Sequence, residues 1–437
     1  MSRAGPLLAG ALIAALAAVV PAGTARPAAA AAYTCSGNAG IDEAHLQPLI
    51  DAGGSIVLAG VCAGNFVAES TTVSIAGAGS GATLDGRGTG SILVLDDSTV
   101  SLSNLTLTHG EGSGPDEPGD PPGRNGGAVS MTDSSLTVSG CRLVANHAAD
   151  QGGAIHAAES TLSVADSLLA NNVSVAGGGG IDADDDVDLS IARSTIGGNS
   201  TGPHGGGVEL FDGTLTIARS TIAGNSVVGT SDFRSGGGIW TGLSVVTLTS
   251  TTVKGNSSTE VGGGIGFSGG PGSSLTLRAS TVTGNRATLG GGGIRNDAYY
   301  GDAPLALDHS TVSGNTAGQG GGIDDFGLHG FTASVTLAAS EVSANRAVLG
   351  GGIDAFVDPS GGAASVTVAS SVDGNRADFG AGIAAGGGST VTLRPGATLV
   401  GNAARYDGGG VFLHGGARLA IVPVVTMRGN SPDDVAG

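Results

Sequence analysis

Four residues in the second half of the chain have side chains suited to acid–base chemistry: Arg295, Asp324, Asp325 and Asp354. A glycoside hydrolase requires two carboxyl groups about 5–9.5 Å apart. A polysaccharide lyase instead requires a basic side chain that abstracts a proton, commonly with Ca²⁺ held on carboxylates. Arg295 is the base that lies near these acids in sequence, so the four are candidate catalytic residues of either type of enzyme.

A second group of candidates is the carboxylate run at residues 182–188, which reads DADDDVD. Asp182, Asp184 and Asp186 alternate along it and offer the oxygen ligands that Ca²⁺ prefers. The run lacks the glycine and the distal glutamate of an EF-hand loop. Calcium is therefore the candidate cofactor, with these three residues as its candidate ligands.

Aromatic residues occur in the same segments of the chain as these acids. Flat rings stack on the C–H faces of sugars and carboxylates accept hydrogen bonds from sugar hydroxyls, so the combination is typical of a glycan-binding surface. In the alternative interpretation the rings pack within their own loops and the acids only keep the surface soluble. The candidate ligand-binding residues are Trp240, Phe267, Tyr299, Tyr300, Phe326 and Phe356.

The element that must position all these residues is a repeat. The stretch from Ser280 to Ile294 reads STVTGNRATLGGGGI, in which a short strand ends in Asn and a glycine triplet then leads into an aliphatic residue. A fixed period in this range indicates a solenoid. The Asn recurs at intervals of 26–31 residues: Asn146, Asn172, Asn199, Asn225, Asn256, Asn285, Asn315, Asn345, Asn375, Asn402 and Asn430.

Each repeat contains three short segments in which apolar and polar residues alternate, a pattern that favours strands. No segment of the regular repeats carries a helical period over ten residues. We therefore predict an all-β fold: a single right-handed parallel β-helix with about three short strands per coil. Identical positions then stack between coils, and the Asn side chains are expected to bond to one another along the stack. The apolar spacing of Ile41–Ala52 predicts a helix that caps the N-terminal coil.

The spacing within the repeat varies mainly at one place. From the triplet aliphatic to the second strand the distance is 7 residues for Ile155 to Leu162 but 13 residues for Ile353 to Val366. Insertions in a solenoid map to one face, often the binding face. The long connections, and the aromatic residues and acids in or beside them, are therefore expected on one side of the β-helix.

The first 32 residues have the pattern of a secretory signal peptide. Arg3 precedes an apolar run of 14 residues, Leu7–Val20, and Ala28–Ala32 offers small-residue cleavage sites. The run is short for a bilayer span, although an uncleaved anchor is the alternative. We expect three regions: a signal peptide at 1–32, an N-terminal cap with irregular first coils at 33–125, and regular repeats at 126–437. The mature protein is expected to be secreted, extracellular or associated with the cell surface, with no membrane insertion after cleavage.

The cysteines fit this location. Cys35 and Cys62 flank the first ordered segment, and an oxidising exterior permits a disulfide between them. Cys141 occupies a position that is a serine in other repeats, so it is expected to be a small buried residue. The formal net charge is −19, and the sequence has a single lysine, Lys254, and no basic stripe that could neutralise phosphates, so nucleic acid is not an expected partner.

The alternation of GGAI (Gly152–Ile155) or GGGI (Gly178–Ile181) with strands such as STIAGN (Ser220–Asn225) resembles the repeats of polymorphic outer-membrane proteins. The passenger domains of that family resemble right-handed β-helices of the pectin-lyase type. The resemblance covers about residues 126–430, although an aliphatic residue stands where those repeats usually place a Phe. It implies a secreted or surface-displayed, adhesin-like protein, and the wider pectin-lyase-like superfamily also includes polysaccharide lyases and hydrolases.

The sequence favours a non-catalytic, secreted repeat protein that binds polysaccharides or cell-surface glycans through its variable face. A fold by itself does not imply an activity. The alternative is a polysaccharide lyase or glycoside hydrolase that acts on an acidic polysaccharide. A third possibility is a purely structural coat or spacer.

Overall fold

The computed structural model describes residues 30–112, 125–229 and 235–437. In this part the chain forms a parallel β-solenoid of about 14 turns with one short helix near its N-terminus, as predicted. Residues 1–29 of the predicted signal peptide lie outside the described residues, whereas Ala31 and Ala32 belong to the first strand, Ala31–Thr34.

The capping helix spans Ala39–Ala52 and closes the N-terminal end of the core. Asn38 caps it, since its side chain accepts a hydrogen bond from the Ile41 amide at 3.3 Å. Leu46 and Ile50 point from the helix into the core and are fully buried. The prediction of an N-terminal cap is confirmed. The helix is followed by the strands of the first coils: Gly54–Ala63, Phe66–Glu69, Thr72–Asp85, Leu93–Asp96, Thr99–Ser103, Leu105–Thr108 and Glu111–Gly112.

The regular coils repeat a fixed set of strands, each paired in parallel with its equivalents in neighbouring coils. First strands follow the glycine triplets: Val129–Thr132, Ile155–Ala158, Ile181–Ala192, Val208–Ala218, Ile239–Thr249, Ile265–Ser268, Ile294–Ala298, Ile323–Gly327, Ile353–Val357, Ile383–Gly386 and Val411–Leu413. Some of these, such as Ile181–Ala192, continue without a break into the second strand. The strand Val435–Ala436 follows no triplet but pairs with Val411–Leu413 in the same stack. Separate second strands are Ser135–Ser139, Thr161–Ala165, Ser274–Arg278, Ala303–Asp308, Thr332–Ser343, Ala363–Asp373, Thr390–Leu393 and Arg418–Ile421.

Third strands lead to the Asn residues, and two-residue to five-residue strands follow the Asn in many coils. The separate third strands are Arg142–Val144, Leu168–Ala170, Thr195–Gly197, Thr221–Ala223, Thr252–Lys254, Thr281–Thr283, Thr311–Ser313, Thr398–Val400 and Thr426–Arg428. The strands after the Asn are His147–Ala148, Val173–Ser174, Ser200–Thr201, Ser226–Val227, Ser257–Ser258, Arg286–Ala287, Arg376–Phe379 and Ala403–Asp407.

The core is a continuous column of aliphatic side chains. Residues at equivalent positions pair across coils, for example Ile265 with Ile294 and Ile294 with Ile323. The chain contains only 3% aromatic residues, so Val, Leu, Ile and Ala fill most of the interior. Burial of this apolar surface is the main term that stabilises each coil against its neighbours.

The Asn residues form the predicted ladder inside the turn. Asn285 donates from its backbone amide at 2.9 Å and from Nδ2 at 3.0 Å to Oδ1 of Asn315. Its Nδ2 also donates to the carbonyl oxygen of Val253 at 3.0 Å. The same pattern links successive residues from Asn146 to Asn430. Each buried amide is thereby satisfied, so the role of these residues is structural.

The three cysteines have the states predicted from the sequence. Cys35 and Cys62 form a disulfide, and Cys141 is a free, buried thiol within the serine ladder. Its backbone amide donates to Oγ of Ser167 at 3.0 Å. In the described ranges, no helix is long and apolar enough to cross a bilayer.

Candidate ligand-binding face

The outer surface of the first strands collects the polar and aromatic residues of the repeat into two rows. Alternate residues of a strand point to opposite sides, so positions one and three after the triplet aliphatic face away from the core. Outer row one contains Ser130, His156, Asp182, Glu209, Trp240, Gly266, Arg295, Asp324, Asp354, Ala384 and Phe412. Outer row two contains Thr132, Ala158, Asp184, Phe211, Gly242, Ser268, Asp297, Phe326, Phe356, Gly386 and His414.

The variable connections stack on one another beside these rows. The Tyr300 amide donates to the Gly269 carbonyl at 3.0 Å, which links the connections of two successive coils. Further along, the Thr332 amide donates to Oδ1 of Asp302 at 2.9 Å, and the Gly330 amide to the Gly361 carbonyl at 2.9 Å. The extended connections therefore lie on one side of the β-helix, as the spacing of the repeats predicts.

An aromatic pocket of about 350 Å³ opens between the stacked connections and the turns that precede the glycine triplets. Tyr299 and Tyr300 are 37% and 42% exposed, and their rings meet edge to face at 4.8 Å. We use the name aromatic pocket for this lining: His204, Ser235, Trp240, Val261, Ser268, Asp297, Tyr299 and Tyr300.

Two predicted ligand-binding rings are not on the surface. Phe267 occupies the inward position of its strand and is fully buried, so the prediction that it binds a ligand is wrong. Trp240 is only 7% exposed because its ring stacks on His204 at 4.6 Å and on Phe211 at 6.1 Å. Trp240 therefore forms part of the pocket wall, packed against side chains of the preceding coil and not within its own loop.

Three of the candidate catalytic residues converge in an arginine–acid cluster, which consists of Arg295, Asp297, Asp324 and Asp354. Arg295 donates from Nε to Oδ1 of Asp297 at 2.6 Å and from Nη1 to Oδ2 of Asp324. Asp324 and Asp354 pair across neighbouring coils and are each 1% exposed. Burial, and then the charge of Asp324, raise the pKa of Asp354 well above its usual value.

Asp325 does not belong to this cluster, so the prediction that it joins Asp324 and Asp354 is wrong. It points to the opposite side of the strand, toward the core, and is fully buried. Its Oδ1 accepts a hydrogen bond from Nδ2 of Asn296 at 2.7 Å. Burial raises the pKa of Asp325 to about 8, so the carboxyl is predominantly protonated at neutral pH.

Phe326 and Phe356 continue outer row two beside the arginine–acid cluster. Their rings stack at 5.9 Å, and the Arg295 guanidinium lies 4.2 Å from the centre of the Phe326 ring. Both rings are half-buried. Phe326 therefore holds Arg295 in place as well as contributing apolar surface to the face.

A histidine–acid cluster, His156, Asp182, Asp184 and Glu209, lies on the earlier coils of the same rows. Ligand atoms of His156, Asp182 and Asp184 all lie within 4.8 Å of one another. The predicted third ligand, Asp186, is exposed and lines a different surface cleft with Asp97 and Asp133. The metal-ligand prediction is therefore wrong for Asp186, because the strand changes register between Asp184 and Val187 and carries it away.

Sequence inspection missed His156 and Glu209 as neighbours of the aspartates. The signal was present in the repeat, because the residue after each triplet aliphatic reads His, Asp, Glu, Trp, Gly, Arg, Asp and Asp over successive coils from residue 156 to residue 354. Reading that single position down the repeat would have grouped them.

These observations define a right-handed parallel β-helix with a polar and aromatic outer face. The sequence matches the family described as right handed beta helix region over residues 71–244 and 127–317, which together cover more than half of the chain. The chain therefore belongs to this family.

A comparison with curated proteins finds no match. Among solved structures, the chain is similar to the A-module of a mannuronan C-5 epimerase from Azotobacter vinelandii, with 13% identity, a TM-score of 0.28 and coverage of 90% of this chain and 94% of that one. It is also similar to a mutant DFA-IIIase from Arthrobacter chlorophenolicus A6 in complex with DFA-III, with 13% identity, a TM-score of 0.30 and coverage of 87% and 89%. At these scores neither likeness is an argument for a function of this chain.

Proposed function

We propose that the protein is a secreted or cell-surface glycan-binding β-helix that holds its ligand in the aromatic pocket and does not process it. The observation that carries this proposal is the pair of exposed rings, Tyr299 and Tyr300, at the mouth of a pocket that also presents a carboxylate, Asp297. A relationship to the polymorphic outer-membrane proteins and an adhesin-like role are parts of the same proposal.

The chemistry of the pocket suits a sugar. Tyrosine rings offer flat apolar faces with a hydroxyl at the tip, and the Asp297 carboxylate accepts hydrogen bonds from hydroxyl groups. Arg295 holds that carboxylate in position through Nε at 2.6 Å. The net charge of −19 repels polyanions over the whole molecule, so a neutral glycan is the expected ligand.

The arginine–acid cluster supports binding better than catalysis. A hydrolase needs one carboxyl that donates a proton and another that acts on the sugar ring, and both must reach the substrate. Asp324 and Asp354 are almost wholly buried, and Oδ2 of Asp324 is taken by Arg295. Arg295 itself is held between Asp297 and Asp324, so it is a poor proton acceptor for a lyase reaction.

The test is a glycan array with the purified chain, followed by calorimetry on the best ligand. Replacing both Tyr299 and Tyr300 with alanine removes two stacking surfaces, which together contribute about 1–3 kcal/mol, so we expect binding to weaken about 5- to 150-fold. The matched control is Tyr406→Ala, because Tyr406 is 49% exposed but does not line the pocket, and its affinity should equal that of the unaltered chain.

Two outcomes would contradict the proposal. The first is no binding to any glycan, or binding that the double variant retains. The second is release of reducing or unsaturated ends from an acidic polysaccharide, abolished by Asp324→Asn, since that result would establish the alternative enzymatic function.

A further inference from the structure

The residues of the histidine–acid cluster have no role in the proposed binding of glycans. Three carboxylates, Asp182, Asp184 and Glu209, lie together on the outer rows, where Asp182 is fully buried and Glu209 is 7% exposed. Among the described side chains, His156 Nδ1 lies 3.0 Å from Oδ2 of Asp182, and Gln151 Nε2 donates to Oδ2 of Asp184 at 3.1 Å.

A second observation is independent of the composition. Oδ1 of Asp182 is buried and has no hydrogen-bond partner among the described residues. A buried carboxylate oxygen without a partner is costly, and such a group in a folded protein calls for an explanation.

The orphaned oxygen lies close to Gly177, which has no side chain. A Cβ atom at Gly177 would lie 2.8 Å from Oδ1 of Asp182 and 2.9 Å from Oε2 of Glu209. The glycine thus leaves space between two carboxylates from successive coils. Glu209 is kept there by the Gly178 amide, which donates to Oε2 at 3.0 Å.

Mutual repulsion and burial make the site unfavourable without a cation. Asp182 and Glu209 are buried and Asp184 is half-buried, so their neighbouring negative charges repel one another with little water to screen them. A divalent cation would offset both effects, since it replaces lost hydration and neutralises the carboxylates.

We propose that His156, Asp182 and Asp184, with Glu209 beside them, form a binding site for a divalent transition-metal cation of the Zn²⁺ type. An imidazole ligand together with carboxylates suits Zn²⁺, whereas Ca²⁺ takes oxygen ligands alone. Metal–ligand bonds of about 2.0–2.2 Å place the ligand atoms of one ion about 3–4.4 Å apart, which fits a cluster whose ligand atoms all lie within 4.8 Å. This assignment replaces calcium and excludes Asp186.

The test is isothermal titration of the full metal-free chain with ZnCl₂ and, separately, with CaCl₂. We expect one Zn²⁺ per chain at a tight site and at least 100-fold weaker binding of Ca²⁺. His156→Ala and Asp182→Asn should each weaken Zn²⁺ binding at least 100-fold. Gln151→Ala, which removes only the hydrogen bond to Asp184, should weaken it about 10-fold.

The matched control is His309→Ala, because His309 forms a surface His–Asp pair with Asp308 at 2.6 Å. That variant should keep the tight site. Gly177→Ala leaves every ligand in place but puts a methyl group against Asp182, so it should also weaken binding. Circular dichroism shows whether each variant folds. If one of them does not fold, Asp184→Asn is tested in its place.

The proposal is overturned if the unaltered chain binds no Zn²⁺, if folded His156→Ala binds it as tightly as the unaltered chain, or if Ca²⁺ binds more tightly than Zn²⁺. Its failure is distinguishable from failure of the glycan-binding proposal, because the tyrosine double variant leaves all of these ligands intact.

Discussion

At the scale of single residues, the chain places carboxyl groups where solvent does not reach them, and their surroundings differ. Asp324 is paired with Arg295, Asp325 accepts a hydrogen bond from an amide, and Asp182 lies 3.0 Å from the His156 ring. Each of the three also has one buried oxygen without a partner among the described residues. Burial disfavours the charged form of each carboxyl, and only a compensating charge or donor offsets that cost.

The first prediction concerns Asp325 and pH. Its pKa is about 8 in the folded chain against 3.8 for an ordinary aspartate, so between these values the native state holds a proton that the unfolded state has released. This carboxyl stabilises the fold at low pH, and the contribution is lost as the pH rises through 8. Nearby Asp324 raises the pKa further, whereas Arg295 opposes the shift.

Asp325→Asn has no proton to lose, so we expect its stability to fall less steeply with pH than that of the unaltered chain. The difference in unfolding free energy between the two should change by about 4 kcal/mol between pH 5 and pH 9. Urea unfolding at several pH values, followed by the fluorescence of the single tryptophan, measures it. Parallel stability curves would contradict a protonated Asp325.

At the scale of elements, the glycine triplets let adjacent coils approach closely. Gly292 is an example, since a Cβ atom there would lie 2.5 Å from the Gly321 carbonyl oxygen and 2.6 Å from the Thr316 carbonyl oxygen. Glycine is required at residue 292 because a side chain would not fit between the two coils. Gly284, in the turn before Asn285, is different, because its φ is +61° and the space around it is open.

Replacing these two glycines with alanine should therefore lower the free energy of unfolding by different amounts. Gly292→Ala pushes two coils apart and should destabilise the chain by about 2–4 kcal/mol. Gly284→Ala only places alanine in a left-handed conformation and should cost about 1 kcal/mol. Urea midpoints of the two variants give the comparison. Equal losses would mean that backbone conformation, rather than the approach of the coils, explains the triplets.

At the scale of the whole molecule, stability is the sum of contacts between neighbouring coils, so the same residue matters more in the middle of the stack than near its end. Asn285 lies within the stack and is buried, with Asn256 donating to its Oδ1 and its own Nδ2 donating to Asn315 and Val253. Asn430 is half-buried and belongs to the last described coil.

Asn285→Ala leaves several buried polar groups without partners and should cost about 3–5 kcal/mol. Asn430→Ala should cost about 1–2 kcal/mol, because water can replace its bonds at a more exposed position. Thermal and urea unfolding measure both variants. If Asn430→Ala were the more destabilising variant, burial of the Asn ladder would not determine how much each Asn contributes to stability.

Much of the architecture could be read from the sequence because the repeat constrains it strongly. The periodic Asn, the glycine triplets and the alternating strands each determine local backbone structure, and stacking of identical positions follows from their period. The capping helix, the disulfide and the one-sided connections were predictable for the same reason: each depends on local pattern and spacing.

Only the tertiary structure decided which side chains meet. Asp324 and Asp325 are adjacent in sequence, yet a strand points one outward and the other into the core. The register shift after Asp184 removes Asp186 from its expected partners, and His156 joins the aspartates from the preceding coil. A repeat period fixes which positions stack, but the direction and burial of each side chain depend on the register and packing of several coils at once, and these decide the chemistry of the face.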